Sequence, residues 1–142
     1  MFTDIGGRTE RELDRHDRVF RRWAVREIRA RRFQAFLVDG PGGDPAGSGA
    51  IWLQPQQPRP GRLAVPFLPY VMSMYTVPER RGKGVATRLV RAMVRWAADR
   101  GYPRILLHAS RMGRPVYARA GFHDGSEMRL ELPVRRSPRR GR

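Results

Sequence analysis

Arg81-Gly82-Lys83-Gly84 stands between an apolar run and an amphipathic one, and its residue types suit anion binding. Glycines at 82 and 84 leave backbone N–H groups uncovered, while Arg81 and Lys83 set positive charge beside them. Where a helix begins, the first-turn amides have no intrahelical partner and the dipole adds a partial positive charge. Together these make a cradle for phosphate. Each amide bonded to an anion contributes about 1.5–3 kcal/mol, so several could hold a pyrophosphate. A bare turn, with glycine for geometry and arginine for solubility, is the plainer reading of the same residues. Two phosphate motifs are incomplete here. The P-loop would need glycine where Val77 stands and Ser or Thr where Gly84 follows Lys83. The dinucleotide fingerprint lacks its third glycine, since Val85-Ala86-Thr87 follows Gly84, and the next strand does not end in an acidic residue.

The flanking elements must aim this turn. Tyr70 to Val77 is apolar, aromatic or β-branched enough for a buried strand, and Pro78, without an N–H, stops it. From Val85 the apolar positions Val85/Ala86, Leu89/Val90, Met93 and Trp96/Ala97 form one helical stripe, with Arg88, Arg91 and Arg95 opposite and Gly101 as a stop. The helix is expected over 82–99. Arg104 to Ala109 predicts a second strand, parallel to the first if both join one sheet. Ser110 to Ala120 reads as a short helix with Ser110 as its cap. Pro115 must fall in the first turn, so the regular part starts later than Ser110. Met128-Arg-Leu-Glu-Leu132 alternates like an edge strand. Upstream, Leu13 to Arg32 predicts an Arg-rich amphipathic helix, and Phe33–Val38 with Ser48–Gln54 a hairpin joined by residues 39–47. Gln54 to Pro69 holds five of the twelve prolines and is expected to be irregular.

At 142 residues the length fits one domain, placed at 1–134, with 135–142 as a basic disordered tail. There is no cysteine, which excludes disulfides, thiolate metal sites and cysteine catalysis and fits a cytoplasmic protein. No apolar run nears the ~20 residues of a membrane span, and no signal peptide is visible. A net charge of +16 would ordinarily point to nucleic acid. Twenty-eight of the 29 basic residues are arginine, however, a skew that accompanies the 15 glycines and 12 prolines as GC-rich coding would. Nucleic acid is therefore not the expected partner, although the charge would draw in a polyanion.

Arg81-Gly-Lys-Gly84-Val-Ala86 matches the [Q/R]-x-x-G-x-[G/A] pattern of the acetyl-CoA loop, and here the sequence resembles the GNAT superfamily of acetyl-CoA-dependent N-acetyltransferases. Ser110-x-x-Gly113-x-x-x-Tyr117-x-x-x-Gly121-Phe122 is similar to that superfamily's later element, with Ser110 where Asn is usual and Gly113 where Ala is usual. The resemblance covers about Phe33 to Leu132. It implies an α/β (α+β) fold: a mixed, mostly antiparallel sheet of six or seven strands flanked by helices and splayed at the central strand. The family's opening N-terminal strand is missing from this reading, which would leave an unpaired sheet edge and allow a homodimer. Upstream coding sequence would then raise the melting temperature.

By the same resemblance acetyl-CoA is the co-substrate and a small-molecule or peptide amine the acceptor. The Gln54–Pro69 loop enters directly ahead of the central strand and is expected either to border the acceptor site or to be a passive connector. Cofactor contacts carry over to Tyr75, Thr76, Val77, Arg81, Gly82, Lys83, Gly84, Val85, Ala86, Thr87 and Ser110. The backbone amide of Met74 is the implied oxyanion donor and the Tyr117 hydroxyl the implied general acid toward the leaving thiolate. An amine of pKa about 10.4 is almost wholly protonated at neutral pH and must lose a proton before attack. No base stands out. Where some members carry Glu this sequence has Tyr70, a poor base near pH 7; His108, Glu127 and a relayed water are the candidates. His16 and His123 have no evident partners as ligands, and no metal-binding spacing occurs. An acyl-CoA-binding module without catalysis, and a nucleic-acid binder using the Arg-rich helix and tail, are the competing functions.

Overall fold

Thr9 opens the first helix with a capping box. Its hydroxyl accepts from the Glu12 N–H while the Glu12 carboxylate accepts from the Thr9 N–H at 3.0 Å. Helix α1 therefore runs Glu10–Arg29, starting and ending three residues before the sequence expectation, and Arg31 turns away with φ 56°. The Thr-x-x-Glu signal for that start was present in the sequence. In this computed structural model residues 9–57 and 66–130 are described.

Four strands form one sheet in the order β1 (Phe33–Asp39), β2 (Pro45–Pro55), β3 (Phe67–Thr76) and β4 (Leu106–Leu107). The first two pairings are antiparallel and β3–β4 is parallel. Helix α2 (Val85–Asp99) carries the crossover from β3 to β4, and the short α3 (Arg114–Arg119) follows. The expected mixed, mostly antiparallel sheet is thus present, with four strands among the described residues where the resemblance implied six or seven.

Ile51 and Leu53 of β2 and Val71 of β3 pack with Val85, Leu89 and Met93 of α2 into a buried core. Side chains alternate along a strand, so Trp52 faces the other side of the sheet. There it meets Trp23 of α1 at 5.7 Å between ring centroids, and Trp23 in turn meets Phe33. The two long helices consequently cover opposite faces. Glu27, 4% exposed, fastens α1 to this layer. It accepts from Arg32 Nε at 2.8 Å and Nη2 at 3.1 Å, and from Trp52 Nε1 at 3.2 Å. The Arg32 hydrogen bond, opposed by burial, holds the Glu27 carboxyl down at about 2 against an ordinary 4.5.

Several boundaries depart from the sequence reading. Strands β2 and β3 extend into the Gln54–Pro69 stretch, because Leu53 pairs with Pro69 and Pro55 with Phe67. Residues 58–65 of that stretch, and the 135–142 tail, lie outside the described residues. The hairpin is tighter than expected, with Asp39 opposite Pro45. Residues 128–130 form no strand, and Met128 and Leu130 are exposed; 131 and 132 lie outside the described residues. The strand expected over 104–109 shrinks to Leu106–Leu107, which pair with Tyr70 and Val71. A bulge in β3 explains that shortening. Ser48 pairs with Tyr75 and Ala50 with Met72, so Ser73 and Met74 together oppose Gly49. Ser73 sits at φ 55°, a conformation L-residues rarely adopt. Beyond Val71 the chain bends and β4 no longer follows it.

Candidate active site

Where β3 and β4 part, a cleft of about 580 Å³ opens, bounded by three segments. Met74, Tyr75 and Thr76 of β3 form one wall, Arg81, Gly82 and Gly84 to Thr87 the end, and Ser110, Gly113 and Tyr117 the opposite wall. Eleven of the thirteen residues carried over from the resemblance therefore share one cavity. Val77 and Lys83 do not. The Val77 N–H donates to the Ala46 carbonyl at 3.0 Å, and its own carbonyl accepts from Arg80 N at 2.9 Å. Lys83 lines a separate hollow of about 310 Å³ on the other side of the turn, together with Asp39, Arg80 and Arg88.

The cradle has the form its residue types require. Gly82 and Gly84 have φ 73° and 77°, and a Cβ built on either would meet nothing within 4 Å. Their need for glycine is thus conformational, and the space before the amides is open. Gly84 is the N-cap of α2 and offers no side-chain cap. The first intrahelical bond runs from Arg88 N to Gly84 O. Among the described residues, the amides of Gly82, Gly84, Val85, Ala86 and Thr87 donate to no backbone carbonyl outside regular ladders. Arg81 is anchored nearby, its Nε donating to the Thr76 carbonyl at 3.3 Å. This set of donors, with the cleft leading away from it, fits a diphosphate followed by an extended arm.

Tyr117 is 9% exposed and packs edge-on against Phe122 at 5.9 Å. Burial raises its hydroxyl above the usual 10, so it keeps its proton at neutral pH. Gly113 makes room for it, since a Cβ there would stand 2.8 Å from Tyr117 Cε2 and 3.2 Å from Ser110 Oγ. Gly113 is the N-cap of α3, and Pro115 falls in the first turn as expected. Ser110 is not the helix cap. Its Oγ accepts from Gly113 N at 3.1 Å and closes the preceding turn, one step early because Pro115 delays the helix.

Tyr70 and the two side chains weighed as bases form one chain. The Tyr70 hydroxyl bonds His108 Nδ1, and His108 Nε2 bonds Glu127 Oε1 at 3.1 Å. Burial, then the Glu127 charge, raise the Tyr70 hydroxyl above its ordinary range. His16 stacks on Phe20 and His123 bonds the Asp124 carbonyl. No group of His, Cys, Asp and Glu among the described residues could hold a metal ion, and no described helix is long and apolar enough to cross a membrane.

Sequence reasoning missed Ser73, whose bulge shapes the β3 wall, and Gly49 opposite it. It also missed Met112, Val116 and Arg119, which line the cleft. Val116 and Arg119 are three residues apart on α3, a spacing that could have found them, whereas Met112 lies in the turn before the helix and nothing local marks it or Ser73.

A sheet parted beside a glycine-bared helix start, with a buried tyrosine across the gap, is an acyl-CoA-dependent transferase framework. The chain belongs to the acetyltransferase (GNAT) family, whose model matches residues 4–122. Acetyl-CoA is accordingly its co-substrate. A GCN5-related N-acetyltransferase from Ralstonia eutropha JMP134 shares 25% identity, with 89% of this chain and 82% of that one covered and a TM-score of 0.74. An acetyltransferase from Clostridium acetobutylicum, solved with acetyl-CoA, shares 27% identity over 93% of this chain and 82% of that one, with a TM-score of 0.75. AAC(6')-Iy, in complex with the bisubstrate analogue CoA-S-monomethyl-acetylneamine, shares the fold at 18% identity and a TM-score of 0.62, over 77% and 74% of the two chains. No curated protein matches the sequence at a significant level.

Proposed function

We propose that this protein transfers the acetyl group of acetyl-CoA to a primary amine by direct attack while both substrates are bound. One observation carries the reading: uncovered amides at the start of α2 and the Tyr117 hydroxyl line the same cleft. When bound, acetyl-CoA supplies an acyl carbon activated as a thioester and a thiolate leaving group.

In this reading the amides of Gly82 and Gly84 to Thr87 bind the diphosphate, with Arg81 beside them. Lys83 adds attraction from the far side of the turn rather than a contact. Tyr75 and Thr76 hold the extended arm along β3. The Met74 amide, fixed by the bulge, donates toward the thioester carbonyl oxygen as charge develops there. Tyr117 donates its proton to the sulfur from Ser110's side of the cleft. Its raised pKa makes it a weaker acid, but one that is always protonated when needed.

Calorimetry with acetyl-CoA, run beside a panel of primary amines, tests this. Acetyl-CoA at 100 times its Kd should stabilise the protein by about 2.7 kcal/mol. Gly84→Glu, which adds a negative side chain in the cradle, should weaken binding at least tenfold. No heat of binding with folded protein would end the reading. Binding without acetylation of any amine would leave an acyl-CoA-binding module.

A further inference from the structure

Tyr70, His108 and Glu127 are far apart in sequence, yet they form one hydrogen-bonded chain beside the point where β3 and β4 part. The direction of that chain is fixed by its end group. An ionised carboxylate can only accept, so His108 Nε2 carries the hydrogen that Glu127 Oε1 receives. Nδ1 then has a lone pair, and the Tyr70 O–H donates to it. The Tyr70 oxygen keeps lone pairs of its own for a further donor.

Position determines what that donor is. With the diphosphate at 82–87 and the arm along Tyr75 and Thr76, the acyl carbon lies toward the Ser73–Met74 bulge. Continuing down β3, Tyr70 is on the far side of the bulge from the cofactor. It pairs with Trp52 and so shares the α1 face. His108 directly follows the last β3–β4 pair, Val71 with Leu107, at the point where the strands separate. His108 is half exposed, and Glu127 more so, which gives the imidazole an outlet to water.

We infer that Tyr70, His108 and Glu127 form the proton relay that deprotonates the acceptor amine, Tyr70 being the member that touches it. This rests on the acetyltransferase reading above. The Tyr70 oxygen accepts a proton from the substrate ammonium as its own proton passes to Nδ1, and Glu127 balances the resulting imidazolium. The neutral amine forms the C–N bond while the C–S bond breaks. Two protons leave the nitrogen: the first reaches water through His108, and the second replaces the one Tyr117 gives to the thiolate. The net reaction releases one proton. Tyr70 does not ionise by itself near neutrality, because burial and the Glu127 charge oppose it, so it conducts rather than stores the proton. The charged or titratable groups described around the relay are Tyr70 from β3, and Glu127 and Arg129 from the segment after α3.

The test compares full-length wild type with His108→Gln, Tyr70→Phe and Glu127→Gln. The amines are spermidine, benzylamine, kanamycin and a lysine pentapeptide, with kcat followed from pH 6 to 10 and acetyl-CoA affinity measured for each variant. His108→Gln and Tyr70→Phe should each lower kcat at pH 7 by about 10- to 100-fold, with acetyl-CoA affinity within twofold of wild type. The deficit should shrink as pH approaches the amine's own pKa, because bulk water then supplies neutral amine. Glu127→Gln should lower kcat less than His108→Gln does, since the imidazolium loses its counter-charge but the proton acceptor remains. A wild-type-like kcat in His108→Gln, or a deficit constant across pH, overturns the relay. Failure of wild type to acetylate any of the four amines while binding acetyl-CoA also overturns it. Failure to bind acetyl-CoA overturns the underlying acetyltransferase reading instead.

Discussion

A single methyl group at position 113 should be felt at the Tyr117 hydroxyl. Gly113 has φ −78° and ψ −27°, so alanine suits its backbone, and the substitution tests side-chain space alone. The new Cβ would start 2.8 Å from Tyr117 Cε2, and ordinary contact begins near 3.4 Å, so the ring must retreat by roughly 0.6 Å. Ser110 Oγ, 3.2 Å from the new Cβ, crowds the methyl group on another side, and Phe122 limits where the ring can go. Overpacking of this kind costs about 1–3 kcal/mol, and reduced freedom of the unfolded chain returns about 0.4–1 kcal/mol. The net loss is about 1 kcal/mol, or roughly 3 °C in Tm for a chain of this length. Catalysis should suffer more. Misplacing a reacting group by 1 Å can cost about a hundredfold, so a shift of this size costs on the order of tenfold in kcat. The assay is a double-mutant cycle on acetyl transfer. Gly113→Ala should lower kcat about tenfold in the wild type but less than about twofold in the Tyr117→Phe background, where no hydroxyl remains to misplace. An equal loss in both backgrounds would refute the argument, since the methyl group would then act through something other than that hydroxyl.

Tyr117→Phe alone should reduce kcat by about 10- to 100-fold with little change in acetyl-CoA affinity, checked by steady-state kinetics beside calorimetry. Gly49→Ala would bring a Cβ to 2.5 Å from both Met74 Sδ and Met93 Cε. It should cost about 1–3 kcal/mol in denaturant unfolding and lower kcat by loosening the bulge that holds the Met74 amide; an unchanged kcat would separate the bulge from catalysis. Glu27 titrates near 2 when folded and 4.5 when unfolded, so its contribution is complete above about pH 4.5 and is lost as pH falls toward 2. Glu27→Gln should cost about 2 kcal/mol at pH 7 and flatten the stability profile between pH 4.5 and 2, as read by urea melts across that range.

The parts of the site legible in the sequence are those built from neighbours along the chain. Gly82 and Gly84 adopt positive φ as a strand-to-helix turn demands, and α2 buries Val85, Leu89, Val90, Met93 and Ala97 as their spacing predicts. Pro115 set the start of α3 for the same local reason, by lacking an N–H. Local spacing also misled. Arg104 to Ala109 has a strand's composition, yet pairing stops at Leu107 because β3, not β4, decides where the ladder ends.

What residues far apart do to one another needed the folded chain. Nothing in Tyr70, His108 or Glu127 read singly sets them in one hydrogen-bonded line; β3–β4 register and the return of the segment after α3 do. The Ser73 bulge exists because two residues of β3 must oppose Gly49 alone, a matter of cross-strand register rather than of serine. Lys83 shows the same division at close range. Its place beside the cradle was plain from the sequence, while the turn geometry sends its side chain into the other hollow. Sequence thus determined the amides, glycines and tyrosine available for the chemistry, through short-range steric and hydrogen-bonding rules. Tertiary structure alone decided which of them share a cleft, because long-range packing and strand register set those directions.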